Sequence, residues 1–229
     1  MRGQISLYII VGIVLIVIIG MSLFILSLVQ SPPDATPDEP QQATSTYVDS
    51  CMEMVLSPLV DQMAQNGGML HNDQYRMYLN KSYTYWCTDQ GEFGCVNRII
   101  TRNDMERQLG TALVDGVKEC LDFEAEYGAQ VTSGNITPYI TIADNHITAR
   151  LHFPLRLQQT DSEQLTDQFA IRLDRSLGEL HKLATLIMAN ELSEGSFDKD
   201  AWMSEHSSVY TIYKRRAYPD TLYELKKYD

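Results

Sequence analysis

From Ile5 to Val29 the chain carries no charged side chain. The run ISLYIIVGIVLIVIIGMSLFILSLV is about 25 residues long, where roughly 20 suffice to cross a bilayer core. Gly12, Gly20 and the serines fit this reading, because small residues are common in such helices. A buried core helix of this length would show a polar face, and none is present. A cleaved secretory signal has a shorter apolar region and a small-residue cleavage site. Here Gln30-Ser31-Pro32-Pro33 follows instead. The pattern predicts a retained single transmembrane helix over 5–29. Arg2 and the amino terminus lie before it, and Asp34, Asp38 and Glu39 lie after it. The positive-inside rule then puts residues 1–4 in the cytoplasm and the rest outside, with the lipid bilayer as first partner.

Residues 30–44 (QSPPDATPDEPQQAT) read as a Pro-rich linker that resists helix formation and holds the following domain, 45–229, off the membrane. A helix is expected over Ser45–Gln65. Val48, Cys51, Val55, Leu59 and Met63 form its stripe, Pro58 kinks or divides it, and Asn66-Gly67-Gly68 stops it. Residues 69–100 are tyrosine-rich. Tyr75, Tyr78, Tyr83, Tyr85 and Trp86 serve either as a recognition surface or as a hairpin packed on the core, and YLNKSYTYW favours the hairpin. A second helix is expected from Asn103-x-x-Glu106, read as a capping box. Its stripe runs through Met105, Leu109, Leu113, Val117 and Cys120-Leu121, and Gly128 marks its end.

Strict alternation then takes over. Ile147, Ala149, Leu151, Phe153, Leu155 and Leu157 interleave with Thr148, Arg150, His152, Pro154 and Arg156. Pro154 predicts an edge position or a bulge. Tyr139–Ile142 precedes this strand across an Asp144-Asn145 turn, Phe169–Leu173 follows it, and Val131-Thr132 adds a further piece. A third helix is expected from Ser176-x-x-Glu179, with Leu177, Leu180, Leu183-Ala184, Ile187-Met188 and Leu192 as its stripe. It is expected to cover the apolar face of the sheet. The tail predicts a strand at Val209–Tyr213 and a short helix near Thr221–Lys227. The fold class is therefore α+β: an antiparallel meander packed with about three helices, behind a membrane anchor.

Composition narrows the function. The 229 residues hold 18 Lys and Arg against 30 Asp and Glu, for a net charge of −12, and a nucleic-acid partner would want a basic surface. All four cysteines follow the anchor, on the oxidising side, where disulfides form. Three pairings are available. Cys87 and Cys95 flank CTDQGEFG and are placed to close a small ring, in which case Cys51 and Cys120 join two helices. No C-x2-C spacing supports zinc. Asn80-Lys81-Ser82 and Asn135-Ile136-Thr137 are sequons for an exported domain.

Catalytic patterns are missing from the sequence: it contains no Gly-rich phosphate loop, no G-x-S-x-G and no H-E-x-x-H. His146 and His152 share strand parity but stand about 20 Å apart along a strand. His181 lies beside leucines, and His71 and His206 sit in loops. The expectation is a protein with no catalytic residue, metal or cofactor.

Two resemblances add to this. Arg2-Gly3-Gln4-Ile5-Ser6 before an apolar helix resembles an archaeal prepilin leader, in which a peptidase cuts after the residue matching Gly3 and the new chain starts at Gln4. Gln4 and Ser6 match that pattern. Tyr8 stands where it has the Glu that pairs with the new amino terminus, and Gly12 stands where it has Leu. Over residues 1–190, the order of Gly-Gln leader, anchor, Pro-rich linker, YVDSCMEMV, QNGGML, VKECLDF and HFPLRL is similar to single-pass secreted proteins of DPANN-type archaea. That resemblance implies a surface location and a Cys51–Cys120 pair, and no activity. The sequence reading is a non-catalytic cell-surface protein for adhesion or envelope assembly, bound to itself or to another surface protein. The alternatives are a pilin-like filament subunit, and a binding or enzymatic ectodomain.

Overall fold

The structure is a computed structural model that describes residues 39–89, 95–122, 130–159, 162–217 and 220–228. The leader residues Gly3 and Gln4 and the expected membrane helix, 5–29, lie outside these. Among the described residues no helix is long and apolar enough to cross a membrane. The chain divides into two compact units, Met1–Ala43 and Thr44–Asp229. Of the first, only 39–43 are described, and they are helical.

The second unit is α+β with antiparallel sheets, as the periodicity predicts. Helix α1 spans Glu39–Gln65, so it begins inside the stretch read as linker. Pro40 explains the difference. In a first helical turn the missing proline N–H would have had no partner anyway. Nor does Pro58 break α1. Both Pro58 and Met54, whose carbonyl loses its donor, are exposed, so water takes that bond. The buried stripe is Val48, Met52, Leu56, Val60 and Met63, with Cys51 beside it. Val55 and Leu59 flank it rather than forming its centre.

Helix α2 spans Arg102–Cys120 and starts earlier than its apparent box. Thr101 is the N-cap, accepting from the Asp104 N–H at 3.2 Å. Glu106 instead accepts from the Ile142 N–H at 2.8 Å, tying α2 to the sheet. The helix ends at Cys120, well before Gly128, which lies outside the described residues. A disulfide joins Cys51 to Cys120, with Cα atoms 6.0 Å apart. Close approach of the two helices needs Gly116, where a Cβ would strike the Val55 side chain.

Between these helices in sequence, β1 (Tyr75–Tyr78) and β2 (Lys81–Thr84) form a hairpin, and β3 (Cys87–Asp89) and β4 (Cys95–Asn97) form another. The meander follows as β5 (Gln130–Ser133), β6 (Thr137–Ile142), β7 (Ile147–Gln159) and β8 (Ser162–Leu173). β8 pairs along the whole of β7, while β6 and β5 share the other edge of β7 in tandem. The register shifts between His152 and Leu155, so Pro154 sits at a bulge, and Pro154 O accepts from Gly134 N at 2.8 Å. The buried face carries Ile147, Ala149, Leu151, Phe153, Leu155 and Phe169. Helices α1 and α2 cover it in one core. Each of these buried side chains larger than alanine contributes roughly 1.5–3 kcal/mol relative to an exposed position.

Helix α3 (Leu177–Glu194) meets the sheet's core only through its first residue, Leu177, and does not lie across that face as the sequence predicts. Its Leu183 and Ile187 pack instead with Phe197 and Ile212 in a second core. That core is built with α4 (Lys199–His206) and an antiparallel hairpin of β9 (Tyr210–Ala217) and β10 (Asp220–Lys227). The expected tail helix at Thr221–Lys227 is thus a strand. Its apolar residues serve two faces, with Leu222 on one and Tyr223 and Leu225 on the other. Ser176 is the N-cap of α3 but makes no capping bond. Its Oγ accepts from Lys227 Nζ at 3.1 Å, and Lys227 also pairs with Glu179 at 2.5 Å. The predicted box is spent on the second core.

Candidate functional site

A cleft of about 920 Å³ opens where four elements meet: the C-terminal end of α1, β2, α3 and β10. Each owes its place to local chemistry. Helix α1 stops because Gly67 and Gly68 adopt φ of 64° and 101°, which residues with a Cβ rarely reach. Gly68 N then bonds back to Met63 O at 2.8 Å. Thr84 Oγ1 donates to Asn66 O at 2.6 Å, so a side chain of β2 caps the helix end. A Cβ on Gly67 would lie 3.0 Å from Trp86 Nε1, so this glycine makes the seat for the indole.

β2 is aimed by its turn. Leu79 and Asn80 take φ of 49° and 60°, both left-handed, as a two-residue type I′ hairpin requires. This brings Tyr83, Tyr85 and Trp86, all half-buried, onto the cleft wall. The tyrosine-rich stretch is therefore both a hairpin and part of a recess, while Tyr75 stays 50% exposed on the far strand. The floor comes from Leu180, Ala184, Ile187 and Met188 of α3. His181, on the same helix, shares a hydrogen bond with Ile100 O at 2.8 Å and fixes α3 to the loop before α2.

Charged groups in the cleft meet partners of opposite sign. Arg76 pairs with Asp220, and Lys81 pairs with Glu224 at 3.1 Å. Lys226 approaches Glu224 at 3.5 Å. Deeper in, Glu191 receives Lys214 at 2.9 Å, Phe197 N at 3.1 Å, and a short bond from the Tyr223 hydroxyl. Burial pushes the Glu191 carboxyl up, but the bonds from Tyr223 and Lys214 outweigh it and hold the group below its usual range. Burial and the Glu191 carboxylate push the Tyr223 phenol far up. The bond from Lys81 holds Glu224 low. Among the described residues no three His, Cys, Asp or Glu are gathered to hold a metal ion.

Of the leader, cysteine and sequon residues named from the sequence, two reach this cleft among the described residues. Asn80 lies on its rim at the hairpin tip, exposed. Cys87 lines it and is disulfide-bonded, and the register sets Asp89 of β3 against Cys95 of β4. The side chain of Cys95 lies outside the described residues. Asn135 is exposed between β5 and β6, and Cys51 and Cys120 sit between α1 and α2. Nothing in the sequence marks Arg76, Glu191, Asp220, Tyr223 and Glu224 as a group. Arg76 and Asp220 stand 144 positions apart, and the segment that carries Asp220, Tyr223 and Glu224 reads as a helix in sequence. No protein-family model matches this chain, and no curated protein or solved structure does either.

Proposed function

We propose that this chain is a non-catalytic cell-surface protein. In this reading a single membrane helix over 5–29 holds an extracytoplasmic α+β domain, and the domain engages an adhesion or envelope partner through the cleft between β2, α3 and β10. The observation that carries the reading is the state of the cleft's carboxylates. Asp220, Glu224 and Glu191 are each tied to a cation, and the last two are held below their usual range. A general acid needs a raised, available carboxyl near the working pH. Carboxylates paired this way instead stiffen a recess whose aromatic wall and apolar floor suit recognition.

The reading predicts where a partner is met. A photo-crosslinking amino acid at Ser82, inside the cleft, is expected to trap an envelope component in cells. The same group at Arg150, on the outer face of the meander, is expected not to. Equal adducts at both positions, or none at Ser82, would overturn the proposal. A second reading, a pilin-like subunit, rests on Gly3-Gln4-Ile5-Ser6 before the apolar run. It requires a mature chain that starts at Gln4. Peptide mapping that finds an intact Arg2 rejects it.

A further inference from the structure

The walls of the cleft are two unpaired strand edges. Both odd and even residues of β2 line it, as do both odd and even residues of β10. None of β9 does, and only Arg76 of β1 does. A strand that shows every residue to a recess presents its edge, since one face would show only alternate residues. Among the described residues β2 is bonded only to β1, and β10 only to β9, in separate two-stranded sheets.

The register shows which backbone groups lie on these edges. Tyr228 N bonds to Val209 O at 2.8 Å, in register with the β9–β10 ladder. Hydrogen-bonded pairs alternate along an antiparallel ladder. Asp220, Leu222, Glu224 and Lys226 therefore bond to β9, and the N–H and C=O groups of Thr221, Tyr223 and Leu225 point the other way. Likewise Tyr85 N bonds to Gln74 O at 3.2 Å, so Lys81 and Tyr83 bond to β1 while Ser82 and Thr84 point outward. The ion pairs Arg76–Asp220 and Lys81–Glu224 span the gap and set the two edges antiparallel.

We infer that the cleft binds an extended peptide, which adds as a strand between β2 and β10. This rests on the reading of the cleft as a recognition site and names its ligand class. Because the walls are antiparallel to each other, the peptide runs antiparallel to one and parallel to the other. Its backbone satisfies the free groups of Thr221, Tyr223 and Leu225 on one side and of Ser82 and Thr84 on the other. Alternate side chains face the α3 floor, where Leu180, Ala184 and Met188 require them to be apolar. At one end Lys81 and Lys226, with side chains 61% and 53% exposed, share the single carboxylate Glu224. That end carries a net positive charge in a chain of net charge −12, so it takes a carboxylate of the peptide.

The test uses the full chain in detergent and three capped heptapeptides. The first alternates valine and threonine and ends in glutamate. The second is the same peptide methylated on alternate backbone nitrogens, and the third ends in lysine. The first is expected to bind and to slow hydrogen exchange at the amides of Thr221, Tyr223 and Leu225. Methylation is expected to weaken binding at least tenfold, and the lysine end severalfold. Thr221→Pro removes one edge donor without touching the β9 ladder and is expected to weaken binding severalfold at unchanged thermal stability. Failure of the first peptide to bind overturns the inference, as does equal binding of the methylated peptide or unchanged exchange at the three amides. Maltotetraose separates the two readings. If it quenches Trp86 fluorescence while no peptide binds, the cleft remains a recognition site and the strand ligand is rejected.

Discussion

Leu79 is the residue whose conformation fits its identity least. It occupies the first central position of a type I′ turn at φ 49°, with a bulky side chain 73% exposed. Left-handed backbone costs an L-residue about 1–2 kcal/mol, and Asn tolerates it best after Gly. Leu79→Asn is therefore expected to raise stability by roughly 0.5–1 kcal/mol in urea unfolding. An unchanged midpoint would show that the turn is not held as described. Glu191 sits at the opposite extreme, since Lys214, Phe197 N and Tyr223 all converge on its Oε1. Its folded pKa lies below the usual 4.5, so its contribution is present above that value and is lost as pH falls through the folded pKa. Glu191→Gln is expected to cost about 1–3 kcal/mol near neutral pH. The gap between variant and parent should close in acid. A gap that stayed constant into strong acid would assign the loss to packing instead of charge.

Two elements, α1 and α2, carry the larger core, and two features lock them together. The Cys51–Cys120 bond closes a stretch with a sequence separation of 69. Replacing both cysteines by serine is expected to lower stability by about 2–4 kcal/mol. Gly116 is the second lock, because its missing Cβ admits Val55. Gly116→Ala is expected to cost about 1–3 kcal/mol by overpacking, and adding Val55→Ala should recover much of it. A double variant no more stable than Gly116→Ala would place the strain elsewhere. These locks also show what the sequence can disclose. The meander was legible because one face of β7 is buried, and that imposes a period of two on its residues. The placement of α3 was not, since its stripe fits any apolar surface and its true partner, β9–β10, lies further along the chain. β10 reads as a helix for a related reason. It buries residues on both faces, which erases the alternation and leaves TLYELKK looking helical. The cleft drew on the C-terminal turn of α1, β2, α3 and β10, so only its tyrosine wall could be seen as a local cluster.

At the scale of the whole molecule, charge, cysteine state and the apolar run bear on one question, the side of the membrane on which the proposed anchor would place the domain. Cys51 and Cys120 are bonded to each other, Cys87 is bonded as well, and no described cysteine is free. Such bonds persist in oxidising compartments and are reduced in most cytoplasms. The net charge of −12 adds a second constraint. A strongly acidic domain is repelled by the anionic cytoplasmic leaflet within about one Debye length, whereas no comparable cost arises for a domain held off the opposite face. The proposed anchor would supply retention, since roughly 20 apolar residues are held by the bilayer core itself and not by surface charge. Three outcomes are expected together. Alkaline carbonate should fail to extract the full chain from membranes, and deletion of 5–29 should release it. Protease added to intact cells stripped of any wall should digest the domain. Thiol labelling of the unreduced protein should find no free cysteine. Protection from external protease together with four reactive thiols would put the domain in the cytoplasm, and the surface-recognition proposal would fall with it.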